Sequence, residues 1–396
     1  MKLRRWFFLL ASLACYWLLA QNGILVFLLL ATLIVVADKT RRYWLTVLTI
    51  FLLAFGFVYF KVLSSAAMLF GYSVFAFTGI SFLVDQHKNR QPYGWLDTMV
   101  YLFFFPKMLA GPIVRAADFI PQFSTNRCSG TSVYQGFKLL IYALFIKFML
   151  ADTMFSAVHN SNGIALLLQS FVWGIRFYLD FYAYSLMAVG GAMLFGIALP
   201  YNFDNPYAAR SFKEFWQRWN ITLSAWLRDY IYIPLGGNRC SRGRTIINVI
   251  VTFVVSGLWH GVAIPFVLWG LAHAVLVCLE RFVINAWTGR WLQRSLVVLV
   301  SILLWQLFRF ADCSDIVHYF QNICSEGTPT VSLLWTVVGG VASLWIIESQ
   351  GLKRLVFEMA SSRRAIVCEA SFFAVLITVL VLCPMSYSFN FFYFNY

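Results

Sequence analysis

The sequence predicts an all-α membrane protein that crosses the bilayer many times. Of its 396 residues, 61% are hydrophobic and only 12% are charged, whereas a soluble domain carries about twice that charged fraction. Apolar runs of spanning or half-spanning length follow one another along the whole chain. We expect one integral-membrane domain over residues 1–396, with about 10–11 crossings at roughly 20 residues for each full span.

The apolar runs that account for these crossings are read directly from the sequence. They cover residues 6–20, 23–37, 44–60, 66–84, 139–150, 164–181, 183–199, 245–259, 262–279, 296–308, 331–347 and 365–382. Several are shorter than a bilayer is thick. Short apolar runs are typical of tilted, broken or re-entrant helices that are buried among their neighbours.

Basic residues outnumber acidic ones, and the formal net charge is +14. The basic side chains are spread through loops, so they favour contact with anionic membrane lipids and cytoplasmic orientation of short loops over nucleic-acid binding. On this rule the segments 2–5 and 39–42 lie in the cytoplasm. The eight cysteines show no paired or metal-ligand spacing, and we expect neither a disulfide framework nor a metal site.

The first interruption of the apolar pattern is the segment 103–123, which reads FFFPKMLAGPIVRAADFIPQF. Its prolines prevent one continuous spanning helix. Irregular backbone at membrane depth must be buried in protein or line a cavity. A re-entrant element with Arg115 pointing inward fits this pattern, and the alternative is an interfacial loop with Arg115 on lipid phosphate.

The second interruption is the segment 200–239, with Ser211 as a helix N-cap and Glu214 completing a capping box. An aromatic stripe follows at helical spacing, which predicts an amphipathic helix over 211–228 at the membrane surface. Asn220 lies near the stripe. Taken alone, the stripe favours simple interfacial anchoring over a binding site.

The third is the motif SGLWHG, in which His260 lies within a stretch, 245–279, that has no Asp, Glu, Lys or Arg. A titratable ring at membrane depth is costly unless it has a partner or a cavity, so it indicates a functional site. Histidine also suits general-base chemistry near neutral pH. Gly257, Gly261 and Pro265 favour a helix break beside it. The alternative is a core histidine that binds a backbone carbonyl.

Together these motifs resemble the membrane-bound O-acyltransferase family. The motifs that show the resemblance are GPIVRAADFIPQF, then FDNPYAARSFKEFWQRWNITLSAWLRDYIYIPLGGNR, then SGLWHG with WGLAHAVLVCLER, in that order. The chain is most similar to the bacterial branch that acylates alginate and teichoic acid. The resemblance implies a ring of helices around a central tunnel, with His260 as the catalytic residue inside it.

The resemblance also pairs His260 with Asn220, at a position where the alginate branch usually has histidine and more distant branches have Asn or Asp. An acidic residue usually stands where this chain has Leu186. The further substrate or tunnel candidates are Arg115, Trp259, Arg218, Trp219 and His273. For His273 a structural role, with a partner on a neighbouring helix, is the favoured interpretation.

The implied activity is transfer of an acyl group, with acetyl favoured, from a cytoplasmic thioester to an extracytoplasmic polysaccharide. The expected donor is acetyl-CoA or a carrier-protein thioester, with no bound cofactor. The expected partners are an extracytoplasmic acyltransferase of hydrolase-like fold and the polysaccharide synthesis and export machinery. The expected location is the bacterial cytoplasmic (inner) membrane. D-alanyl transfer, a non-catalytic scaffold and a transporter remain alternatives, and the His260→Ala variant separates an enzyme from a scaffold.

Overall fold

The structure is a computed structural model that describes residues 2–20, 23–63, 71–108, 111–125, 128–152, 162–282, 289–310 and 312–383. Within these ranges every regular element is a helix and no strand occurs. Contacts divide the chain into a first unit, residues 1–137 with 187–201, and a second unit, residues 138–186 with 202–396. The expectation of one domain over the whole chain stays a prediction.

The first unit contains seven of the described helices in full. They are α1 (Lys2–Ala20), α2 (Ile24–Thr40), α3 (Tyr43–Leu63), α4 (Tyr72–Lys88), α5 (Trp95–Phe103), α6 (Ala116–Phe119) and α7 (Gln122–Thr125). The boundary between the units falls within α8 (Gly130–Phe145) and α9 (Gly163–Met193). A π-helical extension, Ile146–Asp152, continues α8.

The second unit contains the remaining helices. They are α10 (Phe212–Arg218), α11 (Ile221–Leu227), α12 (Arg242–His260), α13 (Ile264–Phe282), α14 (Arg290–Trp305), α15 (Cys313–Ile323), α16 (Val331–Ile347), α17 (Gln350–Phe357) and α18 (Arg363–Leu382). Short 3₁₀ turns flank several of them, including Pro206–Ala208 before α10 and Gln306–Arg309 after α14.

Seven of the described helical segments are long and apolar enough to cross a bilayer, and an eighth crossing results if the bent pair α16 and α17 forms one span. The prediction of a polytopic all-α membrane protein is confirmed. The expected ten or eleven crossings also counted shorter apolar helices such as α2 and α4, which have 17 residues each. Helices of that length cross only a thin or locally thinned part of the bilayer.

The proline-containing segment 103–123 is irregular, as predicted. A 3₁₀ turn at Phe105–Lys107 and the two short helices α6 and α7 replace a spanning helix. The segment is packed in protein, since Phe104 and Phe119 are fully buried and their ring centroids lie 4.9 Å apart. Burial of irregular backbone in protein is the condition under which it is tolerated at membrane depth.

The predicted single amphipathic helix over 211–228 is wrong in its continuity. The structure has α10 and α11 instead, separated at Trp219 and Asn220. Asn220 adopts left-handed backbone angles, φ 42° and ψ 55°, which end one helix and start the next in a new direction. Phe215, Trp219 and Leu223 of the stripe are buried within the second unit, so the stripe packs against protein.

Helices α12 and α13 form an antiparallel hairpin in which two glycines permit close approach. A Cβ on Gly257 would overlap the carbonyl oxygen of Phe266, and one on Gly270 would overlap the carbonyl oxygen of Phe253. Backbone therefore packs directly on backbone, as small residues allow between membrane helices. His260 lies at the turn of this hairpin, and Arg242 and Phe282 lie at its open end, where the Arg242 guanidinium donates to the Phe282 carbonyl.

Candidate active site

The histidine predicted to be catalytic is the last residue of α12. The extended backbone of Gly261 ends the helix there, and α13 starts at Ile264 with Pro265 in its first turn. The predicted helix break beside the histidine is therefore confirmed. A helix terminus presents a side chain that no following turn covers, so the break leaves His260 at an end of α12 and not in its middle.

Aromatic rings surround the His260 imidazole. Its ring centroid lies 4.5 Å from that of Trp259, 4.7 Å from that of Phe308 and 5.2 Å from that of Trp269. The residue is 9% exposed, so the imidazole is nearly but not wholly covered. Apolar rings exclude bulk water from such a site and strengthen electrostatic effects within it.

Asn220 is held by a neighbouring loop of the second unit. The Asn202 carbonyl accepts from the Ile221 amide at 2.9 Å, and the Asn202 side-chain oxygen accepts from the Thr222 hydroxyl at 2.6 Å. Asn tolerates left-handed backbone better than most residues. The Asn220 side chain makes no capping hydrogen bond to α11, and the residue is 4% exposed.

A series of tilted and edge-to-face aromatic contacts connects Trp219, next to Asn220, with His260. Trp219, which precedes Asn220, packs on Trp305 with centroids 4.6 Å apart. Trp305 packs on Phe308 at 5.2 Å, and Phe308 contacts His260. Trp219, which is adjacent to Asn220, and His260 thus belong to one connected aromatic layer of the second unit.

His273 is fully buried one turn along α13 from Trp269. Its Nδ1 accepts a hydrogen bond from the Trp216 indole at 3.3 Å. An indole only donates, so in the neutral imidazole the proton lies on Nε2. This bond joins α10 to α13 and agrees with the structural interpretation of His273.

The remaining candidates differ in their surroundings. Arg218 forms an ion pair with Glu214 at 2.8 Å and donates to the Asp204 carbonyl, so its guanidinium holds the start of the loop before α10. Trp259 and Trp219 lie in the aromatic layer. Arg115 precedes α6 in the first unit, and its role as a substrate residue stays a prediction.

The N-terminus of α10 is fully capped. The Ser211 hydroxyl accepts from the Glu214 amide at 2.9 Å, which confirms the predicted N-cap. The Glu214 carboxylate reaches back to the Arg210 amide at 2.8 Å. The first two amides of the helix, those of Phe212 and Lys213, are bound by Glu280 at the end of α13, at 3.1 and 3.0 Å.

Several residues of this cluster were not predicted from the sequence. They are Trp216, Trp269, Trp305, Phe308, Asn202 and Glu280. For the aromatic residues the sequence holds a weak signal, since Trp269 and His273 are four residues apart on one helical face. No local pattern indicates Glu280 or Asn202, because their partners lie far away in the chain.

The helices and the buried polar cluster define a multi-pass membrane protein with a site in an aromatic layer. The chain belongs to the membrane-bound O-acyltransferase family, whose model matches residues 13–305. The matched range contains His260, Asn220 and the residues that surround them, except Phe308, which lies three residues beyond its end.

Similar proteins include two named for O-acetylation. A probable alginate O-acetylase of Pseudomonas aeruginosa is 32% identical over 290 residues, which cover 69% of this chain and 55% of that protein. The peptidoglycan O-acetyltransferase of Helicobacter pylori is 35% identical over 240 residues, 58% of this chain and 45% of that protein. The teichoic acid D-alanyltransferase of Bacillus subtilis is 27% identical over 233 residues, 54% of this chain and 58% of that protein. The chain spans about half the length of the curated relatives it matches.

Proposed function

We propose that this protein is a membrane O-acyltransferase that transfers an acetyl group from a cytoplasmic thioester to a hydroxyl group of an extracytoplasmic polysaccharide. The observation that carries the proposal is the placement of His260 at the end of α12, within apolar rings and 9% exposed. An imidazole that is shielded from bulk water but still partly exposed to a substrate suits general-base chemistry. Membership of the acyltransferase family supports the reaction type.

In the proposed step an imidazole nitrogen of His260 takes the proton of the acceptor hydroxyl. The hydroxyl oxygen forms a bond to the thioester carbonyl carbon, and the carbonyl oxygen becomes an oxyanion. The carbon–sulfur bond then breaks, and the leaving thiolate takes the proton from His260. The Asn220 side-chain amide, which makes no capping hydrogen bond to α11, donates to the oxyanion. Such a donor stabilises the transition state more than the ground state.

The geometry of the α12–α13 hairpin supports a long donor with a negative head. Arg242 and Arg281 lie at the open end, with guanidinium carbons 4.9 and 5.2 Å from the Phe282 ring centroid. From Arg242 to His260, 18 residues of α12 span about 27 Å at 1.5 Å per residue. A thioester on a long arm, with its phosphates near the arginines, would reach His260. Coenzyme A and a carrier-protein thioester both meet this description.

Acetyl transfer is preferred to D-alanyl transfer because the relatives named for O-acetylation are 32% and 35% identical and the D-alanyltransferase is 27% identical. The proposed site is the bacterial inner membrane, where the protein would work with an extracytoplasmic acyltransferase and the polysaccharide machinery. Mass spectrometry of the acyl group released from the polysaccharide distinguishes acetyl from D-alanyl.

The test is the His260→Ala variant, assayed for polysaccharide O-acetylation in cells at equal protein level. We expect a loss of at least about 100-fold, the lower end for removal of a general base. The matched control is His318→Ala, because His318 is an exposed histidine on α15 and its removal should leave acetylation unchanged. Near-normal acetylation in the His260→Ala variant would reject the enzymatic assignment and favour a scaffold.

A further inference from the structure

The carboxylate of Glu280 binds the start of α10 with both of its oxygens. Oε1 accepts from the Phe212 amide at 3.1 Å, and Oε2 accepts from the Lys213 amide at 3.0 Å. The first amides of a helix have no partner within the helix and carry a partial positive charge. The Ser211 hydroxyl and carbonyl bind the next two amides, those of Glu214 and Phe215. Glu280 thus completes the cap from another helix, 68 residues away in the chain.

A second hydrogen bond joins the same two helices one turn further along α10. Trp216 donates to His273 at 3.3 Å, and His273 lies two turns before Glu280 on α13. Two attachments along a helix of seven residues fix both its position along α13 and its rotation. Helix α10 therefore cannot slide or turn without breaking a buried or charged hydrogen bond.

The consequence reaches Asn220 because it follows α10 by two residues. Helix α13 in turn packs on α12, whose last residue is His260, through the close contacts at Gly257 and Gly270. The chain of rigid contacts thus runs from His260 through α12 and α13 to Glu280, and from there through α10 to Asn220. This path links the two proposed catalytic groups.

We propose that Glu280 is a positioning residue that holds Asn220 at its working distance from His260. This inference rests on the proposed function. Glu280 acts as a tether between helices and not only as a cap that stabilises α10. Loss of the tether displaces the Asn220 amide, and misplacement of a catalytic group by about 1 Å lowers the rate by about 100-fold.

The first test compares Glu280→Gln with Glu358→Gln in the full chain, by the rate of polysaccharide O-acetylation at equal protein level. The glutamine amide accepts one hydrogen bond and offers a donor where the second acceptor stood. We expect a loss of about 10- to 100-fold at Glu280, in line with the cost of misplacement. Glu358 is an exposed glutamate at the end of α17, and its variant should keep the full rate. Full activity of the Glu280→Gln variant would overturn the proposal.

A second test separates tethering from capping. Lys213→Glu in the Glu280→Gln background restores a negative charge to the first turn of α10 but not the link to α13. We expect no recovery of the rate. Recovery would mean that Glu280 only stabilises α10, and the tether would be rejected.

A third test asks whether Glu280 acts through Asn220. In an Asn220→Gly background, Glu280→Gln should lower the remaining rate by less than about 3-fold, because coupled residues are not additive. If Glu280→Gln only weakened the structure, its fold-loss in rate would multiply the fold-loss of Asn220→Gly. That result would contradict the proposal. If His260→Ala is inactive while Glu280→Gln is fully active, only the positioning role fails. If His260→Ala keeps its activity, the proposed function itself fails.

Discussion

The left-handed backbone of Asn220 links sequence to site at the scale of a single residue. A left-handed conformation disfavours most side chains, and Asn and Gly adopt it most readily. The Asn202 carbonyl and side chain hold the first residues of α11 after the turn. In the proposed mechanism Asn220 therefore serves two purposes, since its backbone makes the turn and its amide donates to the oxyanion.

The Asn220→Gly variant separates these two purposes. Glycine keeps the left-handed turn and removes the amide, so folding should be retained. We expect acetylation to fall by about 100-fold or more, the scale of one oxyanion donor, with little change in thermal unfolding temperature. The measurements are polysaccharide acetyl content and a melting curve in detergent. Full activity of the glycine variant would show that only the backbone conformation of Asn220 matters.

At the scale of elements, the close packing of α12 on α13 depends on glycines. Gly257 lies one turn before His260, and its Cα faces the carbonyl of Phe266 on α13. A carbonyl bonded within a helix cannot rotate away from an added methyl group. The position of the imidazole relative to Trp269 and Phe308 is thus a result of this close backbone contact.

The Gly257→Ala variant tests the contact. We expect it to lower stability by about 1–3 kcal/mol, the usual cost of overpacking, and to lower acetylation because His260 shifts. The control is Gly243→Ala on the same helix, where an added Cβ meets nothing within 4 Å. Alanine there should be neutral or slightly stabilising, since it favours helix. Equal melting temperatures for the two variants would contradict the packing argument.

At the scale of the whole molecule, two pairs of opposite charges are buried among the described helices. In the second unit Lys147 contacts Asp180 at 2.5 Å, and Lys138 contacts Glu369 at 3.0 Å, with all four side chains nearly or fully buried. Pairing is the condition for keeping ionised groups at membrane depth. The exposed basic residues that remain, such as Arg242 and Arg281, are then available as signals of orientation.

The orientation leads to a labelling prediction. The open end of the hairpin carries Lys213, Arg242 and Arg281, so we place it in the cytoplasm with Lys39. In a background without native cysteines, Lys213→Cys and Lys39→Cys should react with an impermeant thiol reagent only after the membrane is opened. Val262→Cys, exposed at the turn of the hairpin, should react in intact cells because a span of 19 residues reaches the opposite leaflet.

The opposite labelling pattern would reverse the proposed direction of transfer. Reaction of Lys213→Cys from outside would place the arginines on the acceptor side. The negative donor would then have no basic surface on the cytoplasmic side of this hairpin.

The sequence alone determined the properties that depend on composition and on neighbours in the chain. Low charge and repeated apolar runs specify a helical membrane protein, and Ser211 caps α10 because cap and amide are three residues apart. The helix end at His260 follows from adjacent glycines and a proline for the same reason. Only the tertiary structure decided that the aromatic stripe of 211–228 is broken at Asn220 and buried. Only the tertiary structure showed that Glu280 binds the start of α10 and that Trp216 donates to His273. Phe212 and Glu280 are 68 residues apart, and Trp216 and His273 are 57 apart. No local pattern encodes packing between helices so distant in the chain.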